Sequence, residues 1–572
     1  MDIPAELFPA DAPEPGACVR LERPEHGLAL VRIDPPHRDF AVLDAPTLRD
    51  LDLVVNELAA DTTLRGVIVT GASPERFAGG ADVAAIEAVK DPQLVADMIR
   101  AVHGLLARVA ALEPTTVAAV GGPVPGGAFE LSLSCDLIVA TDGDSTRIGL
   151  PETQLGLFPA WGGAHRLPRR VGVPVALDAI LSGRLLRADA ARRRGLVDRL
   201  CKPEHLLRVA ADLALGREVP RSRGRGWKSW LVDRNPLALK IIGNAARKQV
   251  LAKTQGHYPA PLVALDMVLQ APGTPLAEAA DKEARAAAPL VTGPICKALT
   301  SLFFGSEAAK KLAKPADGST PPAVQRAHVI GAGVMGGGIA SVLAEKGVWT
   351  RLSDLSADAA QASLADHRAS VRRIAKRRRL KPWQVDPLND HLDAGPEPHG
   401  LAHTDLVLEA VAERLDVKHA VLGAAAARAP DDALLCTNTS SLSVAAIAEP
   451  LPHPERVVGL HFFNPVRKMP LVEIVRGPAT SDQSVARAAA LAVRLGKTPV
   501  VVADVAGFLV NRLLGPYLDE AVRLFVDGAD CARLDGALLA FGMPMGPLRL
   551  IDEVGLDIGM HVAQSLHEAY GE

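Results

Sequence analysis

Paired cysteines are missing from this sequence of 572 residues, and cysteine itself is scarce. No CxxC motif occurs, and no cysteines lie at the short spacings that form a disulfide framework or a structural zinc site. The six cysteines are Cys18, Cys135, Cys201, Cys296, Cys436 and Cys531. Such scattered thiols are typical of a reducing compartment, so we expect a cytoplasmic protein without a metal site.

An excess of one charge is missing as well. The 63 lysine and arginine residues nearly balance the 66 aspartate and glutamate residues, and the formal net charge is −3. A protein that binds nucleic acids in general is usually far more basic. We therefore predict no nucleic-acid partner.

Long apolar runs are also absent. The longest uncharged stretches, such as 114–129 and 329–344, are interrupted by Gly, Pro or Ser. The N-terminus is acidic and contains prolines, so it lacks the basic flank and apolar run of a signal peptide. We expect a soluble protein with no transmembrane segment.

Turn residues and changes in composition divide the chain into regions. From about 17 to 285, short β-branched runs alternate with longer Ala/Leu-rich segments, which predicts an α/β unit. A helical connection follows, and KPADGSTPPAVQ at 314–325 has the composition of an exposed linker. The predicted regions are a first domain over 1–285, a connection over 286–324, a second α/β domain over 325–504 and a helical domain over 505–572.

A glycine-rich turn opens the second α/β unit. The motif GAGVMG at 331–336 follows an apolar pair at 329–330 and precedes the helical pattern IASVLAEKG. Unpaired amides at the start of a helix, together with its dipole, attract a pyrophosphate. Taken alone, such a motif is equally explained by a tight connection between a strand and a helix.

An acidic residue downstream favours the nucleotide interpretation. Asp354 follows a second candidate strand, 18 residues past the last glycine of the motif. A carboxylate there accepts hydrogen bonds from the adenosine ribose and repels a 2′-phosphate, which favours NAD, whereas the neighbouring Arg351 favours NADP. The predicted NAD-binding residues are Gly331, Gly333, Val334, Met335, Gly336 and Asp354.

Four more motifs follow in order along the second half. They are TNTSSLS (437–443), GLHFFNP (459–465), LVEIV (471–475) and GFLVNRLL (507–514). Over nearly all of 325–572 the chain resembles L-3-hydroxyacyl-CoA dehydrogenase. This resemblance implies a Rossmann NAD-binding domain followed by an all-α domain. It places Ser440, His461, Glu473 and Asn511 in the active site.

The chemistry of these residue types agrees with that resemblance. Oxidation of a secondary alcohol needs a base with a pKa near neutrality, which histidine provides. A carboxylate such as Glu473 would hold the imidazole of His461, while Ser440 and Asn511 would fix the substrate oxygens. Each residue alone is also explained by a structural role, such as a helix cap or a buried histidine.

The first half carries another set of motifs. They are FAGGADV (77–83), PVPGGAFELSLSCDLIVA (123–140) and GLPETQLGLFPAWGGAHRLPR (149–169). These resemble the enoyl-CoA hydratases of the crotonase superfamily from about 17 to 270. The resemblance implies an oxyanion hole from the amides of Ala81 and Gly127. It assigns the water-activating carboxyls to Glu130 and Glu152, with Glu152 as the proton donor. The bulky Trp161 is expected near the acyl path.

The most basic stretch of the chain is VRRIAKRRRLK at 371–381. A solvated helix face is its simplest explanation, and it lacks the interleaved aromatics of a nucleic-acid patch. The dehydrogenases place a helical excursion here, beside the coenzyme A moiety. We therefore expect Arg372, Arg373 and Lys376 to attract the phosphates of the substrate.

The order of the two halves resembles the multifunctional fatty-acid β-oxidation proteins of the alpha-subunit type. This implies an α/β fold class, acyl-CoA substrates, hydration of trans-2-enoyl-CoA and NAD-dependent oxidation of the resulting L-3-hydroxyacyl-CoA to 3-ketoacyl-CoA. It also implies that the family's last helical lobe is absent after residue 572, and that a thiolase subunit or a second copy is a possible partner. Two alternatives stay open. One is a dehydrogenase fused to a crotonase-like CoA-binding module, and the other is a scaffold for a thiolase.

Overall fold

The two halves of the chain fold as two units, residues 1–303 and 304–572. The computed structural model describes residues 3–219, 227–314, 318 and 320–571. Four residues of the predicted linker, 315–317 and 319, lie outside the described residues. The bounds of the four regions expected from the sequence stay predictions.

The first unit is built around a mostly parallel sheet. Its strands are β1 (Val19–Glu25), β2 (Leu28–Ile33), β3 (Gly66–Gly71), β4 (Thr115–Val120), β5 (Pro123–Pro125), β6 (Leu137–Thr141), β7 (Arg147–Gly149), β8 (Leu186–Arg187) and β9 (Arg199–Cys201). Six of them form a sheet in the order β1-β2-β3-β4-β6-β9, in which only the β1–β2 pair is antiparallel. The remaining three form a small sheet in the order β5-β7-β8.

Helices cover both faces of the main sheet. They are α1 (Ala45–Ala60), α2 (Val83–Ala88), α3 (Pro92–Ala110), α4 (Gly127–Ser132), α5 (Gly163–Val171), α6 (Val173–Ser182), α7 (Ala188–Arg193), α8 (Leu206–Ala214), α9 (Trp227–Arg234), α10 (Pro236–Thr254), α11 (Pro259–Gln270), α12 (Leu276–Val291) and α13 (Pro294–Lys311). Val67 and Val69 of β3 belong to the core that includes α1 and α3, while Ile68 packs with α8. All six residues of β3 are therefore buried, as expected of a parallel strand covered on both faces.

The second unit contains one sheet of eight strands. They are β10 (Arg326–Ile330), β11 (Trp349–Ser353), β12 (Leu392–Gly395), β13 (Leu406–Glu409), β14 (Leu434–Thr437), β15 (Val457–Phe462), β16 (Leu471–Arg476) and β17 (Thr498–Ala503). The order is β12-β11-β10-β13-β14-β15-β16-β17, and only β15 and β16 pair antiparallel. The chain reverses its direction of winding beside β10, which places a ligand crevice at the carboxyl end of that strand.

Helices flank this sheet and form the end of the chain. They are α14 (Val334–Glu345), α15 (Ala357–Arg378), α16 (Pro382–Asp390), α17 (Leu415–Ala426), α18 (Val444–Ala448), α19 (Asp482–Arg494), α20 (Val510–Val526), α21 (Cys531–Phe541), α22 (Pro547–Val554) and α23 (Leu556–Tyr570). The last four confirm that the region at the end of the second unit is helical, as predicted.

Among the described residues, no single helix is both long and apolar enough to cross a membrane. One pair, α12 and α13, meets the length and composition requirements together but is bent by 70° at its break.

Candidate active sites

Glu130 lies at the start of a short buried helix. α4 begins at Gly127, directly after Gly126, whose φ of +55° is a conformation that favours glycine. Glu130 therefore lies one turn into the helix, where it is only 2% exposed. Its Oε1 accepts hydrogen bonds from the amides of Trp161 and Gly163, both at 2.8 Å. A side chain at Gly163 would lie 2.8 Å from that same oxygen, so glycine is required there.

Glu152 supplies a second carboxyl to this site. It begins a 3₁₀ turn, Glu152–Leu155, after Pro151. Both carboxyl oxygens are buried and have no hydrogen-bond partner among the described residues. Burial raises the pKa of Glu152 to about 8. A side-chain carbon on Gly126 would lie 3.1 Å from Oε1, so this carboxyl faces the start of α4.

The two carboxyls influence each other's ionisation. Burial raises the pKa of Glu130 well above its usual value, and the charges of Glu152 and Glu283 raise it further. The amide bonds from Gly163 and Trp161 oppose this rise. Because two close carboxyls do not both ionise readily, they titrate as a pair.

The amides of Ala81 and Gly127 come together beside this pair. A carbon added to Gly127 would lie 3.3 Å from Ala81 N, and one added to Gly80 would lie 3.1 Å from Gly127 N. Gly127 is the first residue of α4, so its amide has no partner within the helix. The two amides predicted for the oxyanion hole therefore lie close to each other.

The indole of Trp161 lies against the same glycine. A carbon added to Gly127 would lie 2.4 Å from Cζ3 and 2.6 Å from Cε3 of Trp161. The absence of a side chain at Gly127 is what makes room for the ring. The site therefore has a bulky aromatic wall directly beside one of its two amides.

In the second unit, the glycine-rich turn has room for a pyrophosphate. Gly331 has a φ of +103°, and a side chain there would lie 2.5 Å from Ala410 O. A side chain at Gly336 would lie 1.8 Å from Gly331 O. A side-chain carbon at Gly333, in contrast, would have no described atom within 4 Å except those of its chain neighbours. Two glycines are thus needed for the turn itself, and the third leaves open space.

The start of α14 and the end of β11 complete this site. α14 begins at Val334, which is 78% exposed, while Met335 packs against the core. The leading amides of the helix therefore face open space, an arrangement that binds phosphate. Asp354 follows β11, and its Oδ2 accepts a hydrogen bond from Ala332 N at 2.7 Å. The carboxylate that would bind the ribose thus lies beside the turn.

Arg351 is engaged by groups other than those of the glycine-rich turn. Its guanidinium forms an ion pair with Asp393 and donates to Glu397 O at 2.8 Å. The arginine that would favour a 2′-phosphate is therefore engaged, while Asp354 lies at the turn. The residues of this site fit NAD rather than NADP.

His461 and Glu473 face each other across two antiparallel strands. The register of β15 and β16 pairs them directly, and His461 Nδ1 lies 2.7 Å from Glu473 Oε2. Glu473 is fully buried, and His461 is 6% exposed. Because a carboxylate only accepts hydrogen bonds, we assign the proton to Nδ1, which leaves Nε2 as a base.

Glu473 also connects the strands to the helical region. Its Oε1 accepts hydrogen bonds from Leu509 N at 3.0 Å and from Val510 N at 2.8 Å, at the start of α20. The next residue is Asn511, whose Nδ2 donates to Ser440 O at 3.2 Å. A continuous set of hydrogen bonds therefore brings together the four residues predicted for the dehydrogenase site.

Two charged residues of this site were not found from the sequence. Glu413 Oε1 accepts hydrogen bonds from Ser440 N at 2.8 Å and from Thr439 Oγ1 at 2.6 Å. Lys418 is 1% exposed, and its Nζ lies 3.1 Å from Glu413 and 2.9 Å from Glu409. Burial raises the pKa of Glu413, but the Lys418 charge and these hydrogen bonds together hold it below its usual value. The only signal was EAVAERLDVK at 409–418, a charged segment after an apolar strand.

The basic segment lies on α15, where Arg372, Arg373 and Lys376 are exposed. Arg373 lines a cleft of about 530 Å³ together with Arg467 and Lys468. The cleft extends to the glycine-rich turn, since residues 332–334 line it as well. Arg372 and Lys376 lie on the same helix outside the cleft lining.

Comparison with known families gives three matches along the chain. The enoyl-CoA hydratase/isomerase family matches residues 23–217. The NAD-binding domain of 3-hydroxyacyl-CoA dehydrogenase matches 326–505, and the C-terminal domain of that dehydrogenase matches 507–572. These matches confirm the predicted fold class and NAD as the cofactor.

Individual proteins are also similar to this chain. The fatty acid oxidation complex subunit alpha of Shewanella loihica is 37% identical over 554 residues, which are 96% of this chain and 78% of that protein. The same subunit of Shewanella baltica is 36% identical over the same shares of the two chains. Among solved structures, 3-hydroxybutyryl-CoA dehydrogenase from Escherichia coli K12 is 40% identical over 44% of this chain and 53% of that chain, with a TM-score of 0.41.

The likeness to these alpha subunits extends over both halves of the chain, in the same order. The chain belongs to the family of fatty acid oxidation complex alpha subunits and is a bifunctional β-oxidation enzyme, an enoyl-CoA hydratase joined to an NAD-dependent 3-hydroxyacyl-CoA dehydrogenase.

Proposed function

We propose that Glu130 and Glu152 together add water to the double bond of a trans-2-enoyl-CoA. The observation that carries this proposal is the contrast between the two carboxyls. Glu130 Oε1 is held by two amides, whereas both oxygens of Glu152 are buried and unpartnered among the described residues. Burial raises the pKa of both carboxyls, and the amide hydrogen bonds from Trp161 and Gly163 oppose this rise at Glu130, so we assign the shared proton of the pair to Glu152.

Each group then has one task in the reaction. Glu130 takes a proton from the water whose oxygen forms the new bond to C3, and Glu152 gives its proton to C2. Charge that develops on the thioester oxygen is stabilised by the Ala81 and Gly127 amides. The balance is one water added, and a proton passing from Glu130 to Glu152 restores the enzyme.

In the second unit, we propose that His461 removes the hydroxyl proton of L-3-hydroxyacyl-CoA through Nε2. Glu473 fixes the ring through Nδ1 and stabilises the imidazolium that forms. Ser440 and Asn511, joined by their hydrogen bond, orient the substrate oxygens. The glycine-rich turn and Asp354 would hold NAD, which would supply the hydride acceptor for this oxidation.

A coupled assay tests both sites. The parent protein, given crotonyl-CoA and NAD, is expected to produce NADH because the hydration product is the substrate of the second site. The double variant Glu130→Gln, Glu152→Gln should produce none from crotonyl-CoA but should keep the parent rate from L-3-hydroxybutyryl-CoA. A parent protein that oxidises the hydroxyacyl-CoA without hydrating crotonyl-CoA would show the first unit to be a CoA-binding module.

We also propose that the basic segment of α15 and the adjoining cleft bind the phosphates of coenzyme A. Reversal of charge at Arg372, Arg373 and Lys376 is expected to raise KM for L-3-hydroxybutyryl-CoA roughly 5- to 10-fold at low salt, with kcat nearly unchanged. The effect should shrink as salt is added, because screening weakens the attraction. Steady-state kinetics at two ionic strengths measures this.

A matched triple reversal on α10 serves as the control for that experiment. Lys240, Lys248 and Lys253 are exposed lysines on one helix of the first unit. Their reversal changes the net charge equally and should leave the KM of the dehydrogenase step unchanged. Equal effects of the two triple variants would mean that total charge, and not the α15 segment, attracts the substrate.

Partners and a location are proposed as well. We propose a thiolase as one partner, because the relatives are named as subunits of a complex and 3-ketoacyl-CoA is cleaved by thiolysis. We propose a second copy as another, supported by the large apolar side chains exposed on the C-terminal helices. They include Leu513, Phe525, Val526, Phe541, Leu556 and Met560.

Six free cysteines support a reducing cytoplasm as the location.

A further inference from the structure

A buried cluster that the reaction does not use directly lies behind the hydratase carboxyls. Glu283 of α12 is fully buried, as is His165 of α5, and His103 of α3 is 7% exposed. Glu283 Oε1 lies 2.5 Å from His165 Nδ1, and Oε2 lies 2.8 Å from His103 Nε2. Three helices thus meet at one carboxylate and two imidazoles.

This cluster is hydrogen-bonded to the same turn, residues 160–163, whose amides bind Glu130. Glu283 Oε2 accepts the amide of Gly162 at 2.8 Å, while the amides on either side, of Trp161 and Gly163, donate to Glu130. His103 Nε2 also lies 3.1 Å from Ala160 O. Three successive amides of one turn therefore bind two buried carboxyl groups, with the middle amide on Glu283 and the outer two on Glu130. A shift of Glu283 would move the turn and with it both donors of Glu130.

The state of Glu283 is set by its two histidines. Burial raises the pKa of Glu283, but the hydrogen bonds and charges of His103 and His165 lower it below its usual value overall. Glu283 is consequently an ionised carboxylate, and a buried carboxylate keeps its charge only with such partners.

We propose that Glu283, together with His103 and His165, is a positioning group for hydration that fixes the 160–163 turn and places a permanent negative charge behind Glu130. This rests on the proposed roles of Glu130 and Glu152. The geometry gives it two separable effects, one on the orientation of Glu130 and one on the pH at which Glu130 ionises.

The charge of Glu283 changes the pKa of Glu130 in one direction. The charges of Glu152, Glu283 and Arg166 act on Glu130. His103 and His165 are the titratable groups that lie against Glu283. The negative charge of Glu283 raises the pKa of Glu130, so its removal lowers that pKa. A neutral residue at 283 should therefore move the acid limb of the hydration profile, where Glu130 must lose its proton, to lower pH.

The test is Glu283→Gln, which keeps the shape of the side chain and removes the charge. With crotonyl-CoA we expect kcat to fall roughly 10- to 100-fold while KM stays within about threefold, because the lost element is orientation and not binding. The acid limb of kcat should move to lower pH. Oxidation of L-3-hydroxybutyryl-CoA should be unchanged, because that site lies in the second unit. A cooperative thermal transition of the first unit, as in the parent, would show that the variant is folded there.

The control is Asp50→Asn in α1. Asp50 is another fully buried carboxylate of the first unit, which accepts hydrogen bonds from Cys18 N and Arg49 Nε. A merely structural role predicts that both variants lower Tm and that neither moves the pH profile. An unmoved acid limb in Glu283→Gln, or a parent-like kcat, would overturn the inference.

A second pair of variants decides the question if Glu283→Gln does not fold. His165→Asn keeps a donor near the position of Nδ1, whereas His165→Leu removes it. We expect the asparagine variant to keep hydration within about fivefold and the leucine variant to lose 10-fold or more. Equal activities of the two would contradict the proposal. A parent protein without hydration would instead refute the roles of Glu130 and Glu152.

Discussion

Substitution of His461 by glutamine is expected to lower kcat for oxidation of L-3-hydroxybutyryl-CoA about 1,000-fold and to leave hydration of crotonyl-CoA unchanged. Glutamine keeps a donor for Glu473 but has no nitrogen that accepts a proton near neutral pH. The alcohol then keeps its proton as the hydride departs. With crotonyl-CoA and NAD as substrates, L-3-hydroxybutyryl-CoA should accumulate and no NADH should form. Absorbance at 340 nm measures NADH, and chromatographic separation of the thioesters measures the hydroxyacyl-CoA.

The matched control is His419→Gln. His419 is a partly buried histidine of α17 whose Nε2 lies 2.8 Å from Ala446 O, and it lies outside the hydrogen-bonded set around Glu473. Its replacement should leave kcat within about twofold, because glutamine still donates to that carbonyl. Parent-like oxidation by His461→Gln would show that another group removes the proton.

Much of the dehydrogenase site is predictable because its residues lie in short motifs at the ends of strands. His461 and Glu473 are separated by a short connection, so antiparallel pairing of their strands brings them face to face. The glycine-rich turn carries its own geometry, since Gly331 and Gly336 each exclude a side chain. In such places, local sequence and tertiary contact give the same answer.

The groups that the sequence did not reveal act across long separations. Glu283 is 121 residues from Gly162 and 180 from His103, and a glutamate in an Ala-rich helix resembles a solvated one. Glu413 and Lys418 follow a strand as ordinary charged residues, and only the folded chain places them under Ser440. Burial and partner identity are properties of the fold, and therefore no motif encodes them.

For Glu152, the sequence reveals which residue is involved, whereas its protonation state depends on the fold. Its place in the GLPETQLG segment is readable from the sequence, but its protonation depends on the burial of both oxygens, which have no hydrogen-bond partner in the part of the chain that the structure describes. An exposed glutamate in the same motif would be ionised at neutral pH and could not protonate a carbon. Burial, which raises the pKa of Glu152, therefore supports its proposed role as the acid.

The raised pKa of Glu152 predicts how the rate of hydration depends on pH. Hydration of crotonyl-CoA by the parent protein is expected to fall above pH of about 8, because burial raises the pKa of Glu152 to about 8 and only its protonated form donates. The loss should approach tenfold for each further pH unit. Initial rates at saturating crotonyl-CoA between pH 6 and about 10 measure the limb.

Glu152→Gln should lower kcat for hydration about 1,000-fold at all pH values, because an amide has no acidic proton to give to C2. Oxidation of L-3-hydroxybutyryl-CoA by this variant should match the parent. Glu22→Gln is the matched control, since Glu22 is a partly exposed glutamate of β1 that pairs with Arg32. A basic limb that persists in the residual activity of Glu152→Gln would assign the titration near pH 8 to another group and would leave Glu152 a role in orienting the water alone.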